Sequence, residues 1–212
     1  VRYRADVAEP SDRRLTPRGE ERRRQLMAFA TTRFAENGFH PTSVAEIVEG
    51  LGVGKGVFYW YFDSKEELLR AILADAQLEL RRTQKAAIAG EPSPVARIEK
   101  GVRTSIEWSI EHRDLFRLFQ FAATDARFAA GLRKGERVTV RDAARQLSDA
   151  MDVGEIPRAD PELLSHAILG VHTHLVHLVL RGDLTPTDEV LDAAVSFCLH
   201  GLFAPVTAPA PA

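Results

Sequence analysis

Residues 42–69 read TSVAEIVEGLGVGKGVFYWYFDSKEELL, and the residue types in this stretch suit contact with a polyanion and with base edges. Lys55 supplies a cation for phosphate or guanine. Gly56 has no side chain and permits close backbone approach. Tyr59 and Trp60 offer aromatic faces with polar tips. Lys65 opens a helix, where backbone N–H groups and a cation both favour phosphate. Thr42 offers a hydroxyl, with Ser43 beside it. Five aromatics run consecutively from Phe58 to Phe62, and one helix cannot turn them all inward. By the helical period Phe58, Tyr61 and Phe62 share a face, which leaves Tyr59 and Trp60 outside. Large exposed aromatics need a reason.

The elements that would position these groups are legible. Ser43, followed three residues later by Glu46, is a capping box, and Ser64 with Glu67 is a second. Between them lie Gly50, Gly52 and Gly54, which shorten the first helix and allow a tight turn before a second over residues 55–61. Two short helices joined by such a turn form a helix-turn-helix, whose second helix enters the major groove while the first crosses the backbone. Val44, Ile47, Val48, Leu51, Val53, Val57 and Phe58 supply apolar groups to fix the crossing angle.

The same stretch resembles the DNA-binding region of the TetR/AcrR family of bacterial regulators. Ile47, Gly52, Val53, Gly56, Tyr59, Tyr61, Phe62, Ser64, Lys65, Glu66, Glu67 and Leu68 stand at matching positions without gaps. Upstream, Phe34 and the Gly38–Phe39 helix ending match as well. Gly54 departs from the Ser or Thr usual at the recognition-helix cap. Val57, within the expected DNA-binding set, departs from a hydroxyl residue that often touches phosphate. The resemblance implies a homodimer on a near-palindromic DNA operator, with a C-terminal domain that binds a small ligand.

Length and composition agree. The chain has 212 residues, 45% hydrophobic and 27% charged, the balance of an ordinary folded protein. Its net charge is -2, yet eight basic residues face five acidic ones between Arg13 and Phe62, so the front is basic and the back acidic. A single cysteine, Cys198, excludes an intrachain disulfide framework and reads as a small buried apolar residue. No apolar run approaching bilayer length and no secretory leader is evident, which gives a cytoplasmic expectation without a membrane partner. Phosphate-loop, G-x-S-x-G and H-E-x-x-H motifs are missing, so neither an enzyme nor a cofactor is expected. His174 and His177 are spaced to chelate, but His172 faces elsewhere and no carboxylate stands at ligand spacing. No metal is therefore expected.

Helical periodicity and caps place nine helices and no strand, hence an all-α chain. The expected layout is a mobile arm over 1–15, a helix-turn-helix domain over 16–63, a ligand-binding and dimerisation domain over 64–205, and a frayed tail over 206–212. Trp108, Phe116, Phe119, Phe121 and Phe128 suggest an apolar ligand pocket, with His172 as its polar handle and Leu175 beside it. The helix over 161–181 is apolar on one side and carries His166, Gly170, Thr173 and His177 on the other. With Val190, Ala194, Phe197 and Gly201 of the last helix, these make the expected dimer interface. The function so read is a repressor released from DNA by a hydrophobic or amphipathic molecule. The alternatives are an activator of the same fold and a helical adaptor for proteins. An adaptor's binding would not weaken steeply with salt, as DNA binding must.

Overall fold

The computed structural model describes residues 15–203; the expected arm (apart from Leu15) and tail lie outside the described residues. The described residues form nine α-helices and no strand. In order these are α1 (Pro17–Asn37), α2 (Val44–Gly50), α3 (Lys55–Tyr61), α4 (Lys65–Ala87), α5 (Pro94–Glu111), α6 (Arg113–Thr124), α7 (Ala126–Asp152), α8 (Pro161–Arg181) and α9 (Asp188–Phe203). The chain divides into two compact units, one ending at Leu68 and the other beginning at Leu69.

In the first unit, Thr16 caps α1 by accepting from the Gly19 amide at 3.2 Å, and Pro17 occupies the first turn, where its missing N–H costs nothing. Gly38, at φ 87°, ends the helix in a conformation that disfavours a side chain. Leu26, Met27, Ala30 and Phe34 line the buried stripe of α1. Ile47, Val48 and Phe58 of α2 and α3 are buried with them, while Val44, Leu51, Val53 and Val57 are only half-buried. The two short helices therefore do not make a core of their own. Much of it comes from α1, as expected for seven-residue helices that cannot stand alone.

At Gly50 a Cβ would lie 2.0 Å from the tip of the half-buried Phe29 ring, so a side chain here requires that ring to move.

In the second unit, α7 packs against α5, α6 and α8, and α5 also meets α8 and α9. The core joins Ile98, Val102 and Ile106 of α5 with Leu147 of α7, Val176 of α8 and Val195 of α9. Glu155, in the α7–α8 loop, accepts from the Ser93 hydroxyl at 3.1 Å and the Val95 amide at 2.9 Å, which pins that loop to the start of α5. Asp160 caps α8 by accepting from the Glu162 and Leu163 amides, and Gly182, at φ 81°, terminates it.

α8 corrects one sequence expectation. By length and apolar composition it is sufficient to cross a bilayer, yet only 22% of its most apolar window is buried within the chain. Its inner stripe is Ser165, His172, Val176 and Val179.

Candidate nucleic-acid interface and regulatory core

α3 starts at Lys55 after Gly54, which gives the helix no side-chain cap. Phe58 is fully buried, and Phe62 just beyond the helix is buried beside it at 5.9 Å between ring centroids. That fixes which side of α3 faces out. Tyr59 and Trp60 are 54% and 53% exposed. Lys55 and Gly56 are exposed on the first turn, and nothing in the chain approaches the Cβ position of Gly56. Val57 is half-buried. A cation, a bare backbone and two amphipathic rings thus share one open surface.

Two expected DNA contacts do not fit the geometry. The Thr42 side chain is fully buried, and its hydroxyl donates to the Gly38 carbonyl at 2.9 Å, so it has no proton left for phosphate. The Lys65 ammonium donates to the carbonyls of Phe39 (2.9 Å), His40 (3.0 Å) and Thr42 (3.0 Å), and lies 4.6 Å from the Phe39 ring centroid. All three of its protons are used to close the α1–α2 turn. Ser43 is exposed, and its hydroxyl oxygen accepts from the Glu46 amide at 3.1 Å.

The partner half of each capping box is also distinctive. Glu67 accepts from the Asp63 amide at 2.6 Å. Glu46 is held chiefly by Arg33, whose Nε and Nη2 donate to one carboxylate oxygen at 2.8 and 2.7 Å, and Asn37 adds a third donor at 3.2 Å. The Arg33 hydrogen bond holds the Glu46 carboxyl below the usual carboxylate range and raises the guanidinium in turn. Sequence reading missed this clamp. Its only signal was an Arg one helix upstream of a Glu, a pattern too common to single out.

The residues expected to form the ligand pocket fall into separate places. Phe121 and Phe128 pair at 6.1 Å, and Phe128 is buried under the guanidinium groups of Arg70 and Arg127. Phe119 and Leu175 are half-buried. Trp108 is buried and stacks on His112 at 4.2 Å. Phe116 does meet His172, edge-on at 6.3 Å, and both are buried.

A cleft of about 560 Å³ opens elsewhere, between α7 and α8. It is lined by Glu136 and Arg181 with His166, Gly170, Thr173 and His177, four residues expected at the dimer interface. His166 lies 4.0 Å from the Glu136 carboxylate. The Gln120 amide donates to His177 Nδ1 at 2.6 Å. On α9, Phe197 is 66% exposed and Gly201 is exposed. Val190 and Ala194 are half-buried, and Ala194 packs on the core. Leu163, which the sequence did not single out, is also 66% exposed on α8. Among the described residues no three His, Cys, Asp or Glu side chains gather to hold a metal ion. Cys198 is buried, which pushes its thiol pKa up.

Residues 26–72 match the family model described as bacterial regulatory proteins, tetR family. The uncharacterized HTH-type transcriptional regulator YhgD of Bacillus subtilis is 28% identical over 160 residues, spanning 74% of this chain and 83% of that protein. A transcriptional regulator of the TetR/AcrR family from Thermobifida fusca superimposes with a TM-score of 0.68 at 27% identity, covering 85% of this chain and 98% of that one. The fatty acid degradation regulator FadR of Bacillus halodurans shares the fold, with a TM-score of 0.77 at 17% identity over 88% of this chain and 97% of its own. The match over residues 26–72 and these relatives support a TetR-family, DNA-binding transcriptional regulator. Its relatives are regulators rather than enzymes.

Proposed function

We propose that this regulator is a homodimeric repressor that an apolar or amphipathic small molecule releases from a near-palindromic operator. The observation that carries the DNA side is the open surface of α3, where Lys55, Gly56, Tyr59 and Trp60 stand together above a buried Phe58. Two such helices in a closed dimer would meet half-sites one duplex turn apart, roughly 34–36 Å, or a multiple of it. The exposed Leu163 and Phe197 and the uncovered apolar length of α8 support a second copy as the covering surface. Repression needs only occupancy of the operator, whereas activation needs a further surface for polymerase. Acting on an operator, the protein would work in the cytoplasm.

The buried aromatic interior around Phe116 and Trp108 supports an apolar ligand, as does the fold shared with a fatty acid degradation regulator. Such a ligand acts only if it binds the released state better than the DNA-bound one. The test is a salt series of binding to operator duplexes, with and without candidate ligands. Steep loss of affinity with rising salt, and a further loss on adding ligand, is expected. Salt-independent binding would point to a protein adaptor instead.

A further inference from the structure

His172 projects from α8 into the interior of the second unit and is 9% exposed. Its Nε2 lies 3.1 Å from the Ser109 hydroxyl and 3.2 Å from the Ser105 carbonyl, both on α5. A carbonyl oxygen only accepts, so Nε2 carries the ring proton and donates. Burial keeps the imidazole neutral, with its pKa pulled down to about 4. Nδ1 is then a bare lone pair, and it has no hydrogen-bond partner among the described residues.

A buried acceptor left in this condition is destabilising, a cost that Leu or Phe would avoid. The other buried side-chain atom without a partner among the described residues is Trp108 Nε1, next to Ser109 on α5. Consecutive helical residues differ by only about 1.5 Å in height. Trp108 therefore lies at about the height of Ser109 on α5, but about 100° around the helix from it. The layer around His172 also holds Phe116, edge-on to the imidazole, the fully buried Ile106 and the buried Ser109.

We propose that this layer receives the polar end of the regulatory ligand, and that this end is an uncharged hydroxyl on an apolar body, donating its proton to His172 Nδ1. The assignment rests on the ligand-responsive reading above and narrows it to apolar alcohols. A carboxylate would set its own lone pairs against that of Nδ1 in a dry site. A quaternary ammonium has no proton to give, and an alkane leaves the acceptor unpaired.

The experiment uses the full chain with ¹⁵N-labelled histidine. Straight-chain alcohols from octanol to hexadecanol are titrated, alongside the matching alkanes and carboxylates, following thermal unfolding and the imidazole ¹⁵N resonances. An alcohol of fitting length is expected to raise Tm, to bind roughly tenfold more tightly than its alkane, and to move the His172 Nδ1 resonance upfield as its lone pair becomes engaged. His172→Phe should bring alcohol and alkane to within about twofold, while Ser109→Ala should keep the preference. The spectrum of the unsubstituted protein decides the matter even if His172→Phe does not fold.

Alcohol binding with Nδ1 unmoved, or a preference for carboxylates, would overturn the hydroxyl assignment and leave the ligand-responsive reading standing. If no member of any series stabilises the protein, that reading fails and the assignment falls with it.

Discussion

The Lys65 ammonium lies 3.0 Å from the Thr42 carbonyl, so two residues with the chemistry of phosphate contacts instead hold each other in place. The contact spans 23 positions and closes the turn between α1 and α2 onto the start of α4. Lys65→Met would leave three carbonyls without their shared donor and should cost about 2 kcal/mol of stability. A phosphate contact would also show in the salt dependence of DNA binding, since each one adds about 0.9 to the slope of log K against log salt. The expected result is a less stable protein whose slope, measured where it remains folded, is unchanged. A slope shallower by about one unit would place Lys65 on the DNA.

α3 carries the opposite expectation. Tyr59 and Lys55 are exposed, so Tyr59→Ala with Lys55→Ala should change stability by less than about 1 kcal/mol. Operator affinity should fall on the order of a hundredfold, as for the loss of two direct contacts. Denaturant unfolding and fluorescence anisotropy on a labelled duplex measure the two quantities. Loss of fold along with affinity would show that these side chains are structural.

Gly50 tests the packing that sets the helix-turn-helix angle. With the Phe29 ring 2.0 Å from the site of a Cβ, Gly50→Ala must displace the ring or the helix. Overpacking of this kind costs about 1–3 kcal/mol. Phe29→Leu should recover part of the loss in the double variant. A Gly50→Ala protein as stable as the parent would mean that the ring moves away freely.

His172 makes a pH prediction with a definite sign. Its folded pKa, about 4, lies below the ordinary value of 6.5, so the unfolded chain binds the proton first. Stability should therefore be full above about pH 6.5 and fall as pH drops toward 4, by about 3 kcal/mol in all. Glu46 and Glu91, whose carboxyls are held low by Arg33 and Lys100, contribute stability that is lost only below about 4.5. The interval from 6.5 to 5 lies above the range of these carboxylates, and His172→Phe separates His172 from the chain's other six histidines. Urea midpoints across it should flatten in His172→Phe, and an equally steep profile in that variant would assign the slope to another group.

What the sequence made legible was what local chemistry decides. Thr16 and Pro17 begin α1, Ser43 begins α2, Asp160 and Gly182 bound α8, and each signal acts within a few residues. The outward face of α3 was legible for the same reason, because Phe58 and Phe62 had to turn inward together. Lys65 and Thr42 were misjudged because their partners are tertiary. A lysine at a helix start looks the same whether it meets phosphate or the carbonyls of a distant turn. The aromatic set failed differently. Phe121 and Phe128 are near Phe116 in sequence, but Phe128 ends under two arginines while Phe116 meets His172. Leu163 was passed over because periodicity locates an apolar face without saying that part of it stays uncovered.

The most direct test of the account is selection of bound duplexes from random-sequence DNA by the purified protein, repeated with the Lys55→Ala, Tyr59→Ala variant. Enrichment of one inverted repeat, with half-sites one helical turn or a multiple apart, is expected, and none by the variant. Enrichment of nothing, or the same enrichment by the variant, would contradict the assignment of α3 as the element that reads DNA.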